Sequence, residues 1–336
     1  MARVHKLLAW TFVAICLIAL QGCAASSPWP SALFYRVMMD QDSERVNLAL
    51  ARHVPSGVTA LLDQRYDLDD EDAVLDVYHP TQPGGALPTI VWVHGGGFVS
   101  GNKGQVANYV KILAARGYTT VSVGYSLGPS SNYPTPVLQV NEALAYLMHN
   151  AERLRIDPER IFLAGDSAGA QIAAQLANTI SVPAHASALG MVPSISREQL
   201  RGVILHCGIY DLALPSLRGP YGHFMDTATW AYSGRRDGLQ AEHTSQFSVA
   251  RFVTADFPPA FISAGNADPL LPHSRALAEA LGRRGVHVDA LFFPNDRKPV
   301  LRHEYQFNLE TDAGREALER AVKFIARWDQ GPIAER

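Results

Sequence analysis

Cysteine is scarce: the 336 residues hold three, at positions 16, 23 and 207. So few thiols leave no room for a disulfide framework as the source of stability. Neither sign of charge is in excess, with 29 Lys and Arg against 32 Asp and Glu. That balance lacks the basic footprint that nucleic-acid binding needs. Internal repeats and low-complexity tracts are missing too, which excludes solenoid architectures. Long apolar runs are limited to Leu7–Leu20, about 14 residues, short of the roughly 20 that a membrane-crossing helix needs. What remains is 47% hydrophobic and 18% charged, the composition of a globular chain able to bury a large core.

The apolar run follows Arg3 and Lys6 and ends at Leu20-Gln21-Gly22-Cys23. A basic start, an apolar middle and a small-residue end describe an export signal. The last four residues resemble the bacterial lipoprotein signal, with Gln21 an unusual residue at its position. That likeness implies a signal over 1–22, lipidation of Cys23, and an exported protein anchored to a membrane of the cell envelope. A signal cleaved near Ala24-Ala25 and an uncleaved anchor are the competing readings. Either way Cys207 would be the one thiol left in the folded part. It lies in a hydrophobic run and is expected to be a buried core residue.

Two pentapeptides fit G-x-S-x-G: Gly124-Tyr125-Ser126-Leu127-Gly128 and Gly165-Asp166-Ser167-Ala168-Gly169. The second sits between a strand-like run, Ile161–Ala164, and a small-residue helical stretch reaching Asn178. A strand reversing into a helix at one residue leaves no room for side chains two positions either side, so glycines flank the serine. The first pentapeptide leads into Pro129 and a Ser/Pro-rich loop that cannot open a helix at once. Ser167, not Ser126, is therefore the candidate nucleophile.

Strands are expected at Arg65–Leu68, Val74–Tyr78, Thr89–Val93, Thr119–Val123, before Ser167, and at Gly202–Cys207, Pro259–Ala264 and Val286–Phe293. Helical patterns alternate with them, which predicts an α/β fold with a mostly parallel sheet covered on both faces. The acidic turn Asp69-Asp70-Glu71-Asp72 reads as a solvated connection. Two stretches do not fit the alternation: residues 23–64, read as a spacer and N-terminal cap segment, and the lid-like insertion 209–257, long enough to wall a pocket. The catalytic domain is then 65–336.

A serine hydroxyl needs a base beside it and donors for the oxyanion it creates. Both should come from other strand ends on the same sheet edge. His94-Gly95-Gly96-Gly97 comes after a buried strand, and its bare backbone can approach a substrate. The N–H groups of Gly95, Gly96 and Ala168 are the expected oxyanion donors, with His94 bracing the loop. Asp268 comes after the strand Pro259–Ala264, and His303 after the last one, giving the chain order Ser, Asp, His. Asp211 is the serious rival acid.

Together, His94–Phe98, Gly165–Gly169, Ala267–Leu270 and His303–Tyr305 resemble α/β-hydrolase carboxylesterases of the hormone-sensitive-lipase-like branch. Val99–Lys103 and Gly208–Leu212 are similar to a neighbouring branch that includes arylformamidase-like enzymes. Ser126 stands where these esterases carry an arginine in a tyrosine–arginine–leucine–alanine–proline segment. The resemblance implies an α/β-hydrolase fold and a serine esterase with catalytic Ser167, Asp268 and His303. It also implies small, short- to medium-chain ester substrates and no metal or cofactor. An arylformamidase or amidase with the same residues, and a non-catalytic binding protein on the same fold, are the alternatives.

Overall fold

The computed structural model describes residues 26–82, 84–212, 214, 219–236 and 246–329. The expected signal, with Cys23, lies outside them, as do parts of the insertion. Among the described residues the strands are β1 (Val58–Arg65), β2 (Val74–Pro80), β3 (Leu87–Val93), β4 (Thr119–Val123), β5 (Ile156–Asp166), β6 (Leu200–His206), β7 (Ala260–Ala264) and β8 (Val288–Phe292). They form one sheet in the order β1-β2-β4-β3-β5-β6-β7-β8. β1 and β2 pair antiparallel, β2 is antiparallel to β4, and all later neighbours run parallel.

Successive strand residues face opposite sides of a sheet, and here both sides are packed. Val91, Leu163 and Leu205 enter one core, with Val137 and Leu144 of the helix Thr135–His149 and Ile172 and Leu176 of the helix Ser167–Ser181. Ile90, Trp92, Phe162 and Ile204 enter the other, with Val110 and Leu113 of the helix Ala107–Ala114 and Leu318 and Phe324 of the helix Asp312–Asp329. These strands read as continuous apolar runs because neither face meets water. The long helices are α1 (Trp29–Leu50), α2 (Ala107–Ala114), α3 (Thr135–His149), α4 (Ser167–Ser181), α5 (Gly219–Ser233), α6 (Leu271–Arg283) and α7 (Asp312–Asp329). In α7 the buried residues Ala313, Ala317, Leu318, Ala321, Phe324 and Ile325 recur at helical spacing; its other face is solvated.

The expected α/β architecture is present, with two corrections at its N-terminal edge. Residues 66–68 lie outside the strand expected there: β1 starts at Val58 and ends at Arg65, so a domain boundary at 65 cuts through it. The acidic turn is not simply solvated. Asp72 Oδ2 accepts from Ser126 Oγ at 2.8 Å, and Asp70 Oδ2 accepts from Gln139 Nε2 at 2.6 Å. The described part of the insertion supplies α5, whose Phe224 ring packs 5.0 Å from Tyr35 of α1. The N-terminal segment and the insertion thus meet above the sheet.

Candidate active site

The chain runs from β3 outward to β4 and returns to β5 on the other side of β3. Parallel sheets bind ligands where the strand order reverses in this way, because the loops at that point diverge and leave a crevice. The loop after β3 is His94–Gly97, and the turn after β5 is Ser167.

Ser167 opens α4 directly from β5 and holds φ 50, a left-handed angle costly for a side chain. The flanking glycines make that turn possible. A Cβ on Gly169 would stand 2.0 Å from the Val93 carbonyl oxygen, and one on Gly165 would stand 2.6 Å from the carbonyl carbon of Gly169. A side chain at 169 would push the turn off β3, and one at 165 would push β5 off the first turn of α4.

The structure brings Ser167, His303 and Asp268 together. His303 Nε2 lies 2.9 Å from Ser167 Oγ, and Nδ1 lies 3.0 Å from each oxygen of Asp268. The Asp268 carboxylate is buried and also accepts the Leu270 N–H at 2.8 Å. With Nδ1–H donating to a carboxylate, Nε2 presents its lone pair to the serine. Burial opposes protonation of His303, yet its pKa is held well above the ordinary histidine value. Ionised Cys207 and Tyr221 would push in that direction, but burial keeps them neutral to about 11 and about 12. At neutral pH the upward push is therefore that of Asp268.

The expected oxyanion donors need a correction. The Gly95 N–H is already spent: it donates to Asp166 Oδ2 at 2.9 Å, while Trp92 Nε1–H donates to Oδ1 at 2.8 Å. Gly95 thus anchors the loop to the residue before the serine. Ala168 sits in the first turn of α4, where N–H groups have no intrahelical acceptor. Gly96, at φ +114, turns its backbone so closely over Ser100 that a Cβ would lie 2.0 Å from the Ser100 carbonyl oxygen. Gly96 and Ala168 are the two donors left for a ligand oxygen. His94 is buried, stacks on Tyr125 at 4.3 Å, and is kept neutral by burial with a pKa of about 4. It braces the loop, as expected.

The rivals are employed elsewhere. Ser126 Oγ donates to Asp72 and accepts from Gln139 Nε2 at 2.8 Å. Asp211 lies 3.6 Å from the Arg251 guanidinium.

Sequence reasoning missed several participants. Cys207 is buried as expected, but its sulfur lies within 4.8 Å of the ligating atoms of Asp268 and His303, so it belongs to the site wall. Its place at the end of β6 was the available signal. Asp166 and Glu304 form a carboxyl pair; burial, foremost, raises the pKa of both. Their adjacency to Ser167 and His303 could have flagged them. Nothing in the sequence marks Arg36 and Asp40 of α1. Arg36 donates to the Val99 and Gly128 carbonyls at 2.6 and 3.0 Å. Asp40 Oδ1 accepts from Ser100 Oγ at 2.7 Å, Gly101 N–H at 3.0 Å and Gln105 Nε2 at 3.1 Å. α1 therefore clamps the segment that supports Gly96. Between them lies a cavity of about 290 Å³, lined by Met38, Met39, Gly95, Gly96, His303 and Glu304 among others.

Known proteins share this arrangement of chain. An acetyl esterase of Salmonella paratyphi B is 26% identical over 260 residues, covering 72% of this chain and 73% of its own. Esterase B of Lactobacillus rhamnosis superposes with a TM-score of 0.77 at 23% identity, over 90% of this chain and 96% of that one. The metagenomic carboxylesterase EstE1 does so with 0.70 at 22%, over 91% and 99%. At such identities the structural likeness is one of fold, and the fold is that of the α/β-hydrolases. The BD-FAE family model matches residues 75–281, more than half of the chain, from within β2 to within α6 and including Ser167 and Asp268. The chain belongs to the BD-FAE family.

Proposed function

We propose that this protein is a serine carboxylic ester hydrolase, with Ser167, His303 and Asp268 as its catalytic residues. The observation that carries the reading is the unbroken line from Ser167 Oγ to His303 Nε2 at 2.9 Å and from Nδ1 to Asp268 at 3.0 Å. The similarity to acetyl esterases supports it.

The chemistry derives from the geometry. His303 Nε2 takes the hydroxyl proton as Ser167 Oγ attacks the ester carbonyl. The carbonyl oxygen becomes an oxyanion among the Gly96 and Ala168 N–H groups, at the N-terminal end of α4, where the helix dipole favours negative charge. Asp268 stabilises the imidazolium that forms. The imidazolium returns its proton to the leaving alcohol, and the acyl group stays on Ser167. Water then attacks the acyl-enzyme, giving its proton to His303, and the acid leaves.

The substrates are small esters with short- to medium-chain acyl groups. A cavity of about 290 Å³ beside His303 has room for a small organic group, at the low end of ligand-pocket sizes. A chain-length series of p-nitrophenyl esters tests this, with turnover expected to fall beyond medium chains. An N-formyl aromatic amine serves as comparison: if it is turned over faster than every aryl ester, the enzyme is a formamidase.

The protein is exported and held to an envelope membrane by lipid on Cys23; the signal-like N-terminus supports this. No helix among the described residues is long and apolar enough to cross a membrane. Intact mass of the membrane-extracted protein should show diacylglycerol on Cys23, and a soluble chain starting elsewhere would refute it.

A further inference from the structure

The exposed face of α1 changes character along its length. In its first half Trp29, Leu33, Phe34, Val37 and Met38 are 42, 45, 63, 57 and 55% exposed. One turn later the exposed residues are Gln41, Asp42, Glu44 and Arg45, and in this second half Leu48, at 64%, is the one large apolar side chain left outward. The helix cannot roll to hide its apolar end, because Arg36 and Asp40 on the inner side fix its rotation against Val99, Ser100 and Gly101. A cluster of large apolar side chains held outward in this way marks an interaction surface.

We infer that the first half of α1 seats on a lipid bilayer. This rests on the proposed anchor at Cys23. Only Ala24–Pro28 separate that cysteine from Trp29, and at full extension the connection spans about 20 Å. A lipidated Cys23 therefore holds the apolar end of α1, not its charged end, within reach of the membrane surface. The two acyl chains of the proposed diacylglycerol hold the chain at the surface, and the apolar helix face beside them fixes how the folded part rests there. Trp29 is a residue type favoured at the headgroup level. Met38 belongs both to this face and to the cavity that reaches His303. The seat thus puts the cavity mouth beside the lipid, and esters dissolved in the bilayer surface become its accessible substrates.

The test uses the full acylated chain in vesicles of phosphatidylethanolamine and phosphatidylglycerol. Phe34→Cys, Val37→Cys and Glu44→Cys variants are labelled with an environment-sensitive thiol probe; buried Cys207 serves as the unlabelled background. On vesicle binding the probes at 34 and 37 should shift to the blue and lose access to aqueous iodide, while the probe at 44 keeps both properties. In a chain carrying the probe at Leu33→Cys, the Phe34→Glu/Val37→Glu pair should abolish the vesicle-induced blue shift while the chain stays on the vesicles, with turnover of a water-soluble ester unchanged. If the chain carries its lipid and floats with vesicles while positions 34 and 37 stay open to iodide, the bilayer seat is overturned and the anchor stands. If Cys23 carries no lipid and the chain leaves the vesicles, both fall. A blue shift that depends on protein concentration without vesicles assigns the face to a second copy and overturns the seat.

Discussion

Gly124–Gly128 and Gly165–Gly169 share one pentapeptide pattern and have opposite fates. Ser167 stands at a strand-to-helix reversal with φ 50, its hydroxyl 2.9 Å from a histidine. Ser126 leaves β4 for a loop, and its hydroxyl ties the acidic turn to α3 through Asp72 and Gln139. The difference begins after the second glycine. A helix continues Ser167 and supplies the Ala168 N–H; Gly128 gives way to a proline, which supplies no donor. A serine is made a nucleophile by the elements that deliver its partners, so the pattern alone is silent about role.

The comparison breaks first if the two serines behave alike. Ser167→Ala should lower ester turnover by at least about 10⁴-fold, read from initial rates on a short-chain aryl ester. Asp268→Asn should cost about 10⁴ in kcat, because the histidine loses the group that fixes its tautomer. The same variant sharpens the electrostatics. Only neutral His303 can accept the serine proton, so kcat/KM should rise with pH through its pKa. Asp268 raises that pKa against the effect of burial, which places the acid limb at higher pH than it would have without the carboxylate. In Asp268→Asn the residual activity should keep its limb at lower pH, and an unmoved limb would remove Asp268 from the site.

Asp40→Ala comes next in size. It frees Ser100, Gly101 and Gln105 at once, and the support of Gly96 loosens. A displacement of about 1 Å in a donor costs on the order of 10²-fold in rate. kcat should therefore fall with KM nearly constant, and Asp40→Asn should restore part of it. Equal losses in kcat and secondary structure would reduce Asp40 to a folding role.

Ser126→Ala has the smallest effect. Activity should stay within about twofold, while thermal unfolding shows a loss of about 1–2 kcal/mol as Asp72 and Gln139 lose a partner. A large drop in turnover with an unchanged melting temperature would reverse the assignment of the two serines.

Much of the catalytic geometry was legible in the chain. Local constraints leave local marks: Gly165 and Gly169 record a crowded turn, and apolar runs record strands buried on both faces. The tips of three parallel strands then place Ser167, Asp268 and His303 on one edge in chain order. Less legible was which backbone N–H remains free. Gly95 and Gly96 read alike in sequence, yet Asp166 takes the first and leaves the second. The end of β6 placed Cys207 on the site edge, but nothing near it in sequence showed that His303 would come to its side.

The sequence by itself determined most of the strand-and-helix order and the elbow at Ser167, because backbone sterics and side-chain periodicity act between near neighbours; the order of strand ends along the chain pointed to His303 and Asp268 as its proposed partners. Only the tertiary structure decided that α1 braces the Gly96 loop, that Gly95 serves Asp166, and that Ser126 is a strut. Those outcomes depend on hydrogen bonds across long sequence separations, such as Asp40 to Ser100 and Gly95 to Asp166. Such partners meet only when the sheet has formed and carries their loops to one edge.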